Sequence, residues 1–253
     1  MFESDTASAG SRGPQADVVA VVLAGGFGTR IGHLLGDVPK PMMPVAGRPF
    51  LEWVARYFLR QGVRHCVFST GYRSEAIERH FAEHPVKGCL ITCVREETPL
   101  GTAGGFLNAF SRSKIDEAFC LVANGDSLAL AGVAGLVATL RSGPEAALLG
   151  IEVADASRFG TLLAGPEGKL ASFSEKRPGE GLINAGVYAL SRRCIGRLPK
   201  KRPLSLETDC FPALLAEGCD IRVVPSKAPF LDIGTEESLR QADRFIEEHA
   251  NWF

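Results

Sequence analysis

Residues 18–24, Val-Val-Ala-Val-Val-Leu-Ala, run directly into a turn carrying Gly25, Gly26 and Gly28, and two cations follow, Arg30 and then Lys40 between Pro39 and Pro41. The apolar run is β-branched and too short to span a bilayer, which predicts a buried strand of a parallel sheet. Glycines at its end permit positive φ and remove Cβ, so backbone N–H groups can converge on phosphate oxygens, and a helical turn after Thr29 would add its dipole. The spacing is neither G-x-G-x-x-G nor a loop closed by G-K-[ST], which sets aside the dinucleotide fingerprint and the Walker loop. A strand, a glycine turn and two cations suit a nucleoside triphosphate, with Leu23, Ala24, Gly25, Gly26, Gly28, Thr29, Arg30 and Lys40 as the first candidates to hold it.

Through residue 150 strand-like and helix-like stretches alternate, the pattern of βαβ units and a parallel sheet. A helix is expected over 49–61 with Phe50, Val54, Tyr57 and Phe58 inward, then a strand over 65–71, a helix to residue 84 capped by Ser74, and a strand over 90–96. A loop over 96–105, a helix to about 111 and a strand over 118–123 follow. That last strand ends in Asn124-Gly-Asp126, and polar residues at a strand's carboxyl end mark a site in an open α/β sheet. From about 151 the texture changes to two short strands around Gly165-Pro-Glu-Gly168. Glu236 to Glu248, with Leu239, Ala242, Phe245 and Ile246 on one face, reads as a closing amphipathic helix. Residues 1–16 read as a flexible tail and 17–253 as one domain, with a nucleotide-binding half (17–150) and a half for the second substrate (151–253).

A formal net charge of −1 over 253 residues, with no long basic run, gives no electrostatic footprint for nucleic acid or an anionic membrane. No apolar run is long enough for a membrane span, and the first residues lack the basic and apolar regions of a signal peptide. Seven scattered cysteines, an odd number, suggest reduced thiols in the cytoplasm. The chain also carries H-x-x-E-H at 80–84, a zinc-peptidase pattern. Pro85 ends that helix at once and no downstream carboxylate motif follows, so it reads as the exposed end of an ordinary helix.

With its Arg and Pro-Lys-Pro attached, the glycine turn resembles the signature loop of the sugar-1-phosphate nucleotidyltransferases. The resemblance continues in order through L-G-T-A-G (100–104), N-G-D (124–126), E-K (175–176), N-A-G-V-Y (184–188) and D-I-G-T (232–235). It implies an α/β fold with a Rossmann-like, mixed but mainly parallel sheet flanked by helices, of the nucleotide-diphospho-sugar transferase type. It also implies in-line transfer at the α-phosphorus. A phosphate monoester is already mostly dianionic at neutral pH, so such a transfer needs cations and a metal more than a general base. On the resemblance Asp126 and Asp232 hold Mg²⁺, while Arg30, Lys40 and Lys176 bind phosphates. Glu97, Gly101, Thr102 and Gly125 join the nucleotide site, and Gly160, Glu175 and Asn184 meet the sugar.

The loop from 96 would lie beside the base. No glutamine stands between 61 and 241, whereas Glu96 and Glu97 do, and a carboxylate suits guanine's adjacent donors. The expected small-molecule partners are therefore GTP and a sugar 1-phosphate, with homo-oligomerisation left open. Within the family, the compact length and the flanking motifs look most like members that act on a D-glycero-α-D-manno-heptose 1-phosphate. A mannose 1-phosphate, or uridylyl or thymidylyl transfer to a hexose 1-phosphate, stands as the alternative among enzymes, and a nucleotide-sugar sensor as the one outside them.

Overall fold

The computed structural model describes residues 18–26, 28, 32, 36, 38–174 and 178–253. Val19–Ala24 forms β1, as its composition dictates, and parallel neighbours flank it on both sides: β4 (His65–Thr70) and β6 (Phe119–Asn124). β5 (Leu90–Arg95) extends the parallel run beyond β4. Strand order therefore reverses at β1, where an open α/β sheet leaves a crevice at its carboxyl edge.

The second stretch of chain continues the same sheet. β11 (Gly181–Ser191) runs antiparallel to β6 and to β8 (Ala146–Val153), and β12 (Ile221–Ser226) pairs parallel to β8. β9 (Thr161–Ala164) and β10 (Leu170–Ser174) form the antiparallel pair expected around Gly165–Gly168. Among the described residues these nine strands make one mixed sheet. Two short ladders stand apart from it, β2 (Pro44–Val45) with β3 (Arg48–Pro49), and β7 (Ser127–Ala129) with β13 (Phe230–Asp232).

Side chains of β1 alternate between the two faces. Ala20, Val22 and Ala24 join one apolar cluster with Phe50, Phe58 and Phe68, while Val19 and Val21 join another with Phe106, Tyr188 and Phe211. The first face is covered by α1 (Phe50–Arg60), whose Phe50, Val54, Tyr57 and Phe58 are buried as its periodicity predicts. Burying each of those phenylalanines contributes about 2–3 kcal/mol. The last long helix, Glu236–Glu248, matches its expected span and buries Ala242 and Ile246.

Two local expectations change. α2 (Ser74–Glu83) starts from Arg73 in the left-handed region, and Ser74 is a buried helical residue whose Oγ has no hydrogen-bond partner, so it does not cap. His84, just past α2, is exposed, but His80 turns inward to place Nε2 3.0 Å from Glu52 Oε2. The segment read as a loop to residue 105 is helical from Gly101: α3 spans Gly101–Arg112. Its glycines argue against helix by propensity, and tertiary contact overrides them. A Cβ on Gly101 would stand 2.5 Å from Leu204 O, and one on Gly105 2.5 Å from Glu96 Oε1.

Candidate active site

The crevice at the carboxyl ends of β1 and β6 is a cavity of about 460 Å³. The β1 end and the turn after it contribute Leu23, Ala24, Gly25, Gly26 and Gly28, with Gly28 using the positive φ (61°) that its position required. Gly25 serves by lacking a side chain, since a Cβ there would sit 2.8 Å from Glu96 Oε1. Gly101 and Thr102, in the first turn of α3, form the facing wall.

Pro39 and Pro41 give Lys40 its direction. The chain is extended at Pro39 and then turns tightly through Lys40–Met42, where Met42 N donates to Pro39 O at 2.7 Å. Lys40 is thereby buried to 9% exposure, and its Nζ donates to Asp126 Oδ2 at 2.6 Å. Asp126 follows the end of β6, and the β7–β13 ladder carries Asp232 to it: Asp232 pairs with Ser127, and Ile233 N donates to Asp126 O at 3.0 Å. Burial first, and then the Asp126 charge, push the Asp232 carboxyl above the ordinary aspartate range, with Lys40 and the Gly234 N–H opposing them. Asp126, Asp232 and Lys40 all line the cavity.

Among the described residues, the partly exposed Asp126 and Asp232 carboxylates flank the Lys40 ammonium. Oxygen donors of this kind suit a hard divalent cation that takes its remaining ligands from water and phosphate. Arg158, not singled out from the sequence, adds a further cation: its Nη2 lies 3.8 Å from Asp232 Oδ1 and donates to Thr235 Oγ1 at 3.2 Å.

The acid in the wall beside α3 is Glu96, and Glu97 is exposed outside the cavity. Glu96 Oε1 accepts from Ser69 Oγ at 2.9 Å and Oε2 from Leu100 N at 3.2 Å, which aims the carboxylate between Gly25 and Gly105. Gly125 also lies outside the lining. Its N–H donates to Leu23 O at 2.8 Å, closing β6 onto β1, while Asn124 faces the cavity. Gly160 and Asn184 meet through Asn184 N, which donates to Gly160 O at 2.9 Å, and neither lines the cavity. Thr29, Arg30, Glu175 and Lys176 lie outside the described residues.

A family model described as nucleotidyl transferase matches residues 19–249. The chain belongs to that family. It is 38% identical over 224 residues to the mannose-1-phosphate guanylyltransferase of Mycobacterium tuberculosis, covering 87% of this chain and 62% of that protein. It is 29% identical over 232 residues to the D-glycero-alpha-D-manno-heptose 1-phosphate guanylyltransferase of Aneurinibacillus thermoaerophilus, covering 91% of this chain and 99% of that protein. The crystal structure of HddC from Yersinia pseudotuberculosis complexed with GMP-PN superposes with a TM-score of 0.79 at 30% identity, over 90% of this chain and 99% of that one. The Rossmann-like, mainly parallel sheet expected from the motifs is thus the fold of this chain, shared with the Yersinia structure.

All seven cysteines are free, and no described helix is long and apolar enough to cross a membrane.

Proposed function

We propose that this protein transfers GMP from GTP to a sugar 1-phosphate, most consistently a D-glycero-α-D-manno-heptose 1-phosphate, and releases pyrophosphate. The observation that carries the reading is the Lys40–Asp126–Asp232 cluster set in a cavity at the switch point of the sheet, in a chain whose relatives are sugar-1-phosphate guanylyltransferases. An oxygen of the acceptor phosphate forms the new bond to the α-phosphorus as the bond to the pyrophosphate oxygen breaks. That nucleophile is already ionised, so the residues here serve charge and position.

Asp126 and Asp232 fit a divalent cation, magnesium in this proposal, which when bound would neutralise charge on the phosphates. Lys40 holds Asp126 in place and presents its ammonium to the triphosphate. Arg30 and Lys176 complete the cationic set by the family pattern, as Glu175 and Asn184 complete the sugar side. Of the two adjacent glutamates Glu96 lines the cavity, which supports it over Glu97 as the acceptor for guanine N1–H and N2–H₂.

End-to-end coverage of the heptose enzyme supports the heptose acceptor, and the higher identity to the mycobacterial protein supports mannose 1-phosphate as the second reading. The test is pyrophosphate release with Mg²⁺, crossing GTP, UTP, dTTP, CTP and ATP against the heptose 1-phosphate, mannose 1-phosphate and glucose 1-phosphate. Release confined to GTP and the heptose is expected. GTP with mannose 1-phosphate alone would move the acceptor to the second reading, and silence across the matrix from folded protein would discard transfer.

A further inference from the structure

Behind Asn184 runs a chain of hydrogen-bonded side chains that ends at Thr102 in the cavity wall. Asn184 Nδ2 donates to Tyr188 OH at 2.8 Å, and Tyr188 OH donates to Glu207 Oε1 at 2.9 Å. Glu207 Oε2 accepts from Ser205 Oγ at 2.8 Å and from Thr102 Oγ1 at 2.9 Å, and Thr102 Oγ1 in turn accepts from Leu206 N at 2.8 Å. Tyr188 is fully buried, and burial together with the neighbouring Glu207 pushes its phenol up, so it keeps its proton.

The order of donors in this chain has one consistent solution. A carboxylate only accepts, so the tyrosine proton points at Glu207 and the phenol oxygen is left to accept. It can then take only the nitrogen side of the Asn184 amide. The amide oxygen must face the other way, where Gly186 N donates to Asn184 Oδ1 at 3.1 Å. Gly186 lies against Asn124, which faces the cavity: a Cβ on Gly186 would be 2.3 Å from Asn124 Nδ2. The same carboxylate also anchors the first turn of α3, since Leu204 O accepts from Ala103 N at 2.9 Å and Thr102 is tied to Glu207.

We infer that Glu207, acting through Tyr188, is a positioning residue that anchors the nitrogen end of the Asn184 amide, as Gly186 N anchors its oxygen end, and so holds Asn184 in one place on the acceptor side, an assignment that rests on the transfer reaction proposed above. With glutamine at 207 the network loses its acceptor-only end, so the Tyr188 hydroxyl is free to turn its proton away from residue 207 and no longer reliably offers Asn184 Nδ2 an acceptor, while Gly186 N still holds Asn184 Oδ1. With phenylalanine at 188 the ring keeps its edge contact with Phe211, at 5.1 Å between centroids, but Asn184 Nδ2 loses its acceptor.

The experiment is steady-state kinetics on the wild type, Asn184→Ala, Tyr188→Phe, the double variant and Glu207→Gln, with thermal melts of each. Loss of one oriented hydrogen bond predicts that Tyr188→Phe raises KM for the sugar 1-phosphate about fivefold to tenfold while KM for GTP moves less than about twofold. In the Asn184→Ala background Tyr188→Phe should add nothing, and Glu207→Gln should raise KM for both substrates because it also frees Thr102. Additive effects of Asn184→Ala and Tyr188→Phe, or an unchanged acceptor KM in Asn184→Ala or Tyr188→Phe, would overturn the inference while wild-type turnover keeps the transfer reading. A wild type inert on every pair would overturn both.

Discussion

The two sides of the site are built by different means. Around the nucleotide crevice the geometry comes from backbone approach and missing side chains: Gly25 and Gly105 leave room for the Glu96 carboxylate, and Gly125 lets β6 close on β1. Around Asn184 it comes from a relay of side chains, Asn184 to Tyr188 to Glu207 to Thr102. A wall made of absent atoms tolerates little addition, because a new Cβ has nowhere to go. A relay is sensitive to polarity instead, since each member's donor must find an acceptor.

The first region also holds a side-chain network away from the cavity. Glu52, at 3% exposure, accepts from Arg48 at 2.7 Å and Arg56 at 2.9 Å and meets His80 at 3.0 Å. Burial alone would raise its carboxyl, but hydrogen bonds from Arg56, His80 and Arg48 outweigh that and hold it below the ordinary glutamate range. This cluster joins α1 to α2 and so serves stability, where the Asn184 relay serves position.

The largest break in the comparison should come from the charge cluster in the cavity. Lys40→Ala should lower kcat by about 10³-fold, on the scale of losing one preorganised electrostatic contact, with the circular dichroism spectrum unchanged. Near-normal turnover would remove Lys40 from the mechanism. Next, Glu52→Gln should cost about 3 kcal/mol in urea unfolding at pH 7 with both KM values unchanged. Because the folded carboxyl titrates below its unfolded value of 4.5, its contribution is present above that pH and fades as pH falls through the depressed folded value. The variant should therefore show a flatter loss of stability on acidification, and a KM shift would place this network in the site after all. Smallest is Gly105→Ala, expected to cost about 1–3 kcal/mol of stability by displacing Glu96 and to raise KM for GTP more than KM for the sugar 1-phosphate. An equal rise in both would mean that the two walls do not act separately.

Much of the nucleotide side was legible because its signals are local. β1 lies in a seven-residue apolar run that leads into glycine, α1 shows its buried face at helical spacing, and Asn124-Gly-Asp126 stands at a strand's carboxyl end. What reading along the chain missed has the opposite character. Glu96 and Glu97 both stand in the loop expected beside the base, and only Glu96 lines the cavity, because neighbouring residues of a loop point different ways and no local signal says which faces the wall. Ser74 has the chemistry of a cap, yet the turn through Arg73 carries it one position into the helix. The first turn of α3 carries a loop's signal along the chain, since the glycines at 101, 104 and 105 are there for Leu204, Arg202 and Glu96, all outside that helix.

The sequence by itself determined the strand–glycine–cation order, the parallel first sheet, the short hairpin, the closing helix and the family, because each depends on spacing within a few turns of chain or on motifs in a fixed order. Tertiary structure alone decided the joining of β8, β11 and β12 to that sheet, the approach of Arg158 to Asp232, and the link from Thr102 to Glu207 across 105 residues. Those contacts form only after the loops between them close, and a hydrogen bond between distant residues leaves no periodicity in the intervening chain to announce it.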